Sequence, residues 1–147
     1  MANISDILNS KGRFVYTIGS DASLESALNL MAEKGIGALV VLDSEKIEGI
    51  FSERDFARKT LTIDGFHLRL PVGELMTTPV YFVTPEQSLE ECMRLMTEKR
   101  IRHIPVLQDG KLVGLVSIRD VVKWLMADKT YVIHELERFV YSAPEQD

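Results

Sequence analysis

The stretch GIFSERDFARK occupies residues 49–59, and GLVSIRDVVKW occupies residues 114–124. Both contain the order Gly-x-x-Ser-x-Arg-Asp, and the two copies are 65 residues apart. When residues 15–58 are placed on residues 80–123 without gaps, 17 of 44 positions are identical. A unit of about 60 residues buries too little surface to be stable alone, so two such units should pack against each other. The sequence therefore predicts a tandem repeat.

Each repeat has the pattern strand, helix, strand, strand, helix, which predicts an α+β fold. The runs FVYTI (14–18) and VYFV (80–83) are typical of short strands. Ser23 and Ser88 stand where helix N-caps are expected, and apolar residues follow each at helical spacing. The Asp-Gly of QDGK (108–111) predicts a tight hairpin. The second helix of each repeat begins at the Ser-x-Arg-Asp element.

Domain boundaries follow from this pattern. We expect the first repeat at 1–60, a linker at 61–71, the second repeat at 72–128 and a C-terminal helix with a tail at 129–147. The helix places Val132, Leu136, Phe139 and Val140 on one face, which would cover a core or a subunit contact. The final APEQD is expected to be a frayed tail.

The composition narrows the class of protein. A net charge of −5 and a pI near 5.2 argue against a nucleic-acid surface, which needs clustered basic residues. Cys92 is the single cysteine and falls on a buried helical stripe, so it predicts an inert core residue in a reducing compartment. The sequence shows neither a signal peptide nor an apolar run long enough to span a membrane. We therefore expect a soluble cytoplasmic protein.

The duplicated Ser-x-Arg-Asp element has two interpretations. A serine followed by an acid three residues later forms a capping box worth about 1 kcal/mol, and Gly49 and Gly114 would then mark close backbone approaches. Alternatively, the helix N-terminus attracts a phosphate, the serine hydroxyl donates to it, and the aspartate accepts from the hydroxyls of a ribose. Arg54 and Arg119 would neutralise the phosphate charge or form surface ion pairs.

The ordered elements, the Gly-x-x-Ser-x-Arg-Asp endings and the stretch VGELMTTPVYFVTPEQSLEECMRLMTEKRIRHIPVLQDGKLVGLVSIRD (72–120) resemble a tandem pair of cystathionine-β-synthase (CBS) domains. The resemblance is to the small stand-alone bacterial CBS-pair proteins and covers the chain up to its last helix. It implies two repeats packed with pseudo-twofold symmetry. It also implies a symmetric homodimer, with four repeats in a disc.

The resemblance implies the site residues as well. In this family the aspartate holds the ribose hydroxyls and the serine reaches the phosphate, which assigns Ser52 and Asp55 to one pocket and Ser117 and Asp120 to the other. The segment before the second strand of each repeat lines the adenine pocket in the family, and Thr84 is a further candidate near the base or ribose. The residues carried over in this way are Gly37, Ala38, Thr84, Arg102, His103, Ile104 and Pro105.

The two repeats depart from each other at these positions. The first has Val40 where the second has Pro105, and small Gly37-Ala38 where the second has Arg102-His103. We therefore predict unequal pockets, one roomier and nearly neutral and one more cationic. No metal ligand and no covalent cofactor is predicted.

The function that the resemblance implies is an adenosine-nucleotide sensor. AMP, ATP or NAD(H) would bind in the cleft between the repeats and alter how repeats or subunits pack, and an unknown regulated protein would respond. An enzyme is the second hypothesis, but Gly-x-Gly in GIGALV (35–40) lacks the strand and third glycine of a dinucleotide fingerprint, and no P-loop or catalytic triad order occurs. The third hypothesis is a protein-interaction module with non-functional pockets. We expect no interaction with nucleic acid or membrane.

Overall fold

The computed structural model describes residues 2–127 and 129–142. It has the α+β architecture that the repeat predicts, with the order strand–helix–strand–strand–helix in the first half and helix–strand–strand–helix, preceded by a single bridge at Val83, in the second. The helices are α1 (Ile4–Lys11), α2 (Leu24–Lys34), α3 (Glu53–Lys59), α4 (Leu89–Lys99), α5 (Ile118–Ala127) and α6 (Lys129–Ser142). The strands are β1 (Thr17–Ile18), β2 (Ala38–Asp43), β3 (Lys46–Ser52), β4 (His103–Gln108) and β5 (Lys111–Ser117).

The strands form one small sheet in each half. β1 pairs in parallel with β2, which pairs antiparallel with β3, and β4 pairs antiparallel with β5. The strand predicted at 80–83 is wrong as an extended element, because only Val83 pairs, through a single parallel bridge to Val106. Val80 and Tyr81 of that run line a cleft between the repeats. The run at 14–18 is likewise reduced to β1.

The two hairpins repeat each other in detail. The β2–β3 turn has positive φ at Ser44 and Glu45, and the β4–β5 turn has positive φ at Asp109 and Gly110. Two such residues in succession give the turn that matches the twist of paired strands. The register shifts between Val41 and Leu42 and again between the residues 65 positions later. The Asp-Gly hairpin prediction is therefore confirmed.

Each half is completed by a segment that precedes the other half in sequence. The core of the second repeat contains Ile4, Ile7 and Leu8 of α1, all at most 2% exposed, beside Cys92 and Val116. The core of the first repeat contains Val72 and Leu75 from a short 3₁₀ turn at Val72–Glu74, which comes just before the second repeat. Two cores thus form, and each contains apolar residues from both halves of the chain.

Packing explains why both copies of the motif begin with glycine. A Cβ atom on Gly49 would lie 2.7 Å from Met76 Sδ and 3.0 Å from the carbonyl oxygen of Thr77. A Cβ atom on Gly114 would lie 2.5 Å from Leu8 Cδ2. The segments exchanged between the halves therefore pass directly over these two glycines, as the close-approach interpretation predicts.

Cys92 is a core residue, as expected. Its side chain is fully buried, and burial raises the pKa of its thiol to about 11, so the reactive thiolate is scarce at neutral pH.

The last helix, α6, contacts α5. Leu136, Phe139 and Val140 on its predicted apolar face are 59–73% exposed. The tail predicted at 143–147 lies outside the described residues. None of the helices in residues 2–127 and 129–142 has the length and apolar character that a membrane crossing requires.

Candidate functional site

Both Ser-x-x-Asp elements begin a helix and form a reciprocal cap. The backbone N–H of Asp55 donates to Ser52 Oγ (3.1 Å), and the backbone N–H of Ser52 donates to Asp55 Oδ2 (2.9 Å). Ser117 and Asp120 make the same two bonds, at 3.1 and 2.9 Å. The capping interpretation is therefore confirmed for both copies. The ribose role of the two aspartates stays a prediction.

Asp55 is a buried carboxylate that is surrounded by donors. Its Oδ2 also accepts from the Ser52 hydroxyl (3.0 Å), and its Oδ1 accepts from the Thr77 hydroxyl (2.5 Å). Lys59 Nζ lies 3.4 Å from Oδ1 and donates to the carbonyl of Leu75 at 2.9 Å. Four donors thus surround a side chain whose two oxygens offer about four lone-pair sites.

Asp120 has a different partner, which comes from the other end of the chain. Lys11 Nζ, at the end of α1, donates to Asp120 Oδ2 at 2.7 Å and to the carbonyl of Leu115 at 2.9 Å. Burial raises the pKa of Asp120, but the hydrogen bonds from Lys11 and Ser117 and the charge of Lys11 outweigh burial and lower it. The carboxylate is therefore ionised at neutral pH and held by a lysine of the same chain.

The first cleft, with a volume of about 400 Å³, contains the Asp55 cap. One part of its lining is apolar and consists of Ile50, Pro79, Val80, Tyr81 and Ile101. Six cationic side chains also line it, namely Arg54, Arg58, Lys59, Lys99, Arg100 and Arg102. Ser52, Asp55, Thr77 and His103 complete the polar part. The cap of the first repeat thus faces the segment before β4 of the second repeat, so the cleft lies between the repeats.

The second cleft lies at the second copy of the motif and has a volume of about 470 Å³. It contains Gly37, Ser117 and Arg119, and it shares Arg102 and His103 with the first cleft. Its lining includes Glu53, and Asp120 does not belong to it. The two clefts differ in formal charge, in agreement with the prediction of unequal pockets, but Arg102 and His103 line both and are not the source of the difference. Their volumes are similar, contrary to the prediction that one would be roomier.

His103 lies between the two sites. Its pKa is lowered first by burial, then by the charge of Lys11 and to a smaller degree by Arg102, while the carboxylates of Asp120 and Asp55 act in the opposite direction. An imidazole with a pKa below its ordinary value is neutral at pH 7. His103 is therefore a neutral hydrogen-bonding group in the unliganded protein.

The structure brings most of the predicted site residues to the two clefts. Ser52, Arg54, Asp55, Arg102 and His103 line the first, and Gly37, Ser117 and Arg119 line the second, with Arg102 and His103 in common. Five others line neither described cleft. One of them is Asp120, whose carboxylate accepts a hydrogen bond from Lys11. Ala38 and Ile104 are buried strand residues, Pro105 belongs to β4, and the N–H of Thr84 donates to Gln87 Oε1 at 2.8 Å.

The sequence reasoning missed three residues that contact the motif carboxylates. Lys59 follows Asp55 by four positions, and this helical spacing could have identified it. Thr77 and Lys11 reach the motif from distant segments, and local spacing contains no signal for either. Within the described part of the chain, no cluster of three or more histidine, cysteine or acidic residues could hold a metal ion.

Two repeats that share their cores, with two clefts that meet at a common Arg-His pair, define a tandem-repeat module. Comparison with known proteins agrees: the family model of the CBS domain matches residues 4–61 and again residues 72–127. The chain belongs to the CBS domain family, as a tandem CBS pair.

Relatives cover nearly the whole chain. The chain is 48% identical to a candidate signal-transduction protein with CBS domains from Burkholderia ambifaria, with a TM-score of 0.83 over 87% of this chain and 96% of the other. The mitochondrial CBS domain-containing protein CBSX3 of Arabidopsis thaliana is 34% identical over 93% of this chain and 71% of its own length. A CBS pair crystallised with 5′-methylthioadenosine and S-adenosyl-L-methionine shares the fold at 23% identity, with a TM-score of 0.76 over 88% of this chain and 99% of the other.

Proposed function

We propose that this CBS pair is a regulatory adenosine-nucleotide-binding module that is not an enzyme, and that it signals to a partner protein by a change in conformation or assembly. The observation that carries the proposal is the first cleft, in which an apolar wall, a buried aspartate and a cationic wall stand together. The ligands we propose are AMP, ATP or NAD(H), and the setting is the cytoplasm. A relative of the same fold holds adenosyl ligands.

The three parts of the first cleft suit the three parts of a nucleotide. Ile50, Val80 and Tyr81 offer apolar surface for a purine. Asp55 accepts from ribose hydroxyls, and a hydrogen bond to a charged acceptor is worth about 1.5–3 kcal/mol. The cations at the opposite side neutralise phosphate oxygens.

Ribose binding would require one donor to leave Asp55. Its four donors already use the lone pairs of the carboxylate, and Lys59, at 3.4 Å, is the most distant of them. We expect Lys59 to release Asp55 and turn to a phosphate when the ribose arrives. One side chain would thus pass from the internal ion pair to the ligand.

Signalling would follow from the position of the cleft. A ligand that touches Asp55 of the first repeat and Arg102 of the second favours one arrangement of the two repeats. In a symmetric homodimer, which we propose as the assembly, the same shift would reach the subunit contact and the regulated partner.

Calorimetry with ATP and AMP tests the proposal. Asp55→Ala is expected to remove the tighter binding event, and Asp120→Ala the weaker one, while circular dichroism shows that both variants remain folded. Asp64→Ala changes an exposed aspartate of the linker that belongs to neither motif and lines neither described cleft, and it serves as the control. If both motif variants bound nucleotide like the wild type, the aspartates would be helix caps only.

A protein-interaction module is the second candidate function. The observation in its favour is that each motif carboxylate is already satisfied by donors of the same chain. A nucleotide panel distinguishes the two functions, because a ligand at 100 times its Kd adds about 2.7 kcal/mol of stability. The absence of any thermal shift with adenosine compounds would favour the interaction module.

A further inference from the structure

We infer that the first cleft selects an oligophosphate ligand, with three or more negative charges, over nucleosides with one phosphate or none. This inference rests on the proposed function and deepens it. The class we assign is a nucleoside triphosphate or a ligand with an equivalent phosphate chain.

The charge of the cleft carries the inference. Six cationic side chains and a single carboxylate, that of Asp55, line it, which gives a formal charge of +5 with His103 neutral. The whole chain has a net charge of −5, so this concentration of positive charge runs against the composition of the protein. A cleft with one sign of charge and apolar walls focuses the field on a ligand of the opposite sign.

Within the part of the chain that the structure describes, most cations of the cleft lack an acidic partner, although Lys99 Nζ lies 5.0 Å from the centre of the Tyr81 ring. Lys59 pairs with Asp55, but among the described residues the other five form no ion pair. These five are Arg54, Arg58, Lys99, Arg100 and Arg102. Positive groups gathered without counter-charges repel one another, and an oligophosphate would relieve that repulsion.

The repulsion affects the pKa of Arg54. Its pKa is lowered by partial burial and then by the charges of Arg102 and Arg58, against which Asp55 acts only weakly. A recess of about 350 Å³ adjoins the first cleft and shares Arg54, Arg100, Ile101 and Arg102 with it; Met96, Thr97 and Ile118 complete its lining. The recess gives a phosphate chain room to extend beyond the position of the first phosphate.

The second cleft provides an internal comparison. Arg102 and Arg119 oppose Glu53 there, so its formal charge is only +1. The two clefts share Arg102 and His103 and differ in formal charge by four. The same physical reasoning disfavours S-adenosylmethionine in the first cleft, because its sulfonium group brings a positive charge among five unpaired cations.

A calorimetric series with adenosine, AMP, ADP, ATP, S-adenosylmethionine and inorganic tripolyphosphate tests the inference on the full chain. We expect affinity to rise with each phosphate, with ATP at least about tenfold tighter than AMP. The preference should shrink in high salt, because ions screen exposed charges. ATP no tighter than AMP, or S-adenosylmethionine as tight as ATP, would overturn the inference.

Variants that remove charges test whether the first cleft causes the preference for ATP over AMP. In Arg58→Gln/Lys99→Gln, two charges leave the first cleft, and the ratio of ATP to AMP affinity should fall about tenfold. Lys46→Gln/Lys111→Gln removes two exposed charges of the hairpins that line neither cleft and should keep the ratio. An equal fall in both double variants would show that net charge, and not the cleft, sets the preference.

The outcomes also separate this inference from the proposed function. Binding of AMP and ATP with equal affinity would leave an adenosine sensor and refute the selection for phosphate chains. Binding of tripolyphosphate without adenosine or AMP would refute the adenosine sensor and leave the oligophosphate cleft.

Discussion

Lys11 and Asp120 form an ion pair of 2.7 Å across 109 residues of sequence. The lysine ends the first helix of the chain, and the aspartate belongs to the second copy of the Ser-x-Arg-Asp motif. In the first copy, the corresponding carboxylate, Asp55, is contacted by a lysine of its own helix at 3.4 Å. Each motif aspartate thus forms an ion pair with a lysine, but the two lysines do not occupy equivalent positions in the repeat.

Removal of the Lys11 ammonium should strengthen the weaker nucleotide site. In Lys11→Met, Asp120 keeps its cap but loses its strongest partner, so its carboxylate becomes available to a ribose. The loss of a partly exposed ion pair costs about 1 kcal/mol or less, so the fold should persist. Calorimetry should show a second binding event that is tighter than in the wild type, with the first event unchanged. An unaltered second event would mean that Lys11 does not compete with ligand.

The Thr77 hydroxyl should stabilise the fold through Asp55. Thr77→Val keeps the side-chain shape and removes the donor to Asp55 Oδ1, so the free energy of unfolding should fall by about 1–3 kcal/mol. Thr77→Ser retains the hydroxyl and should recover most of this loss. Urea denaturation measures both variants. Equal stability of the valine and serine variants would contradict the role of the hydrogen bond.

The two motif glycines should resist substitution for steric reasons. Gly49→Ala brings a Cβ atom to 3.0 Å from a backbone oxygen, and Gly114→Ala brings one to 2.5 Å from the buried Leu8. Each should lower the free energy of unfolding by about 1–3 kcal/mol, as overpacked cores do. Gly37→Ala is the matched control, because its Cβ would meet no atom closer than 3.8 Å. Chemical denaturation measures the three variants. Equal stability of all three would contradict the steric explanation.

His103 should make the protein less stable in mild acid. Its folded pKa is lowered by burial and by the charges of Lys11 and Arg102, although Asp120 and Asp55 oppose this shift. The unfolded chain therefore binds a proton more readily than the folded one. Stability is complete above the ordinary histidine pKa of 6.5 and decreases as pH falls from there through the lowered value.

Melting curves between neutral and mildly acidic pH measure this dependence. His103→Gln should flatten the decrease in stability. His134→Gln replaces an exposed histidine of α6 and should leave the decrease unchanged. The same decrease in the His103 variant would assign it to other groups.

Local patterns predicted the repeat, the hairpins and the caps, because these depend on neighbouring residues. The turn residues Asp109 and Gly110 have the positive φ angles that the Asp-Gly pair favours. Ser23 and Ser88 accept the N–H of the residue three positions later, as helix N-caps do. The alignment of Arg102-His103 with Gly37-Ala38 predicted unequal pockets, but Arg102 and His103 line both clefts, and the charge difference comes from the other cations of the first cleft.

Local sequence patterns could not predict the contacts between distant segments. VYFV has the composition of a strand, yet it pairs only through Val83, and its Val80 and Tyr81 line the first cleft. Its β propensity was overridden by tertiary context. Lys11 reaches Asp120 only because α1 packs in the distant core, which no spacing rule around the motif indicates.

The exchange of leading segments makes the two halves obligate folding partners. Deletion of α1 would remove Ile4, Ile7 and Leu8 from the core of the second repeat. The core of the first repeat, which follows α1 directly in sequence, would stay nearly intact. A break between Lys59 and Pro71 should likewise yield two fragments that are unstable apart and able to complement each other when mixed. The two repeats should therefore fold cooperatively even without a bound ligand, because each core contains residues from both halves of the chain.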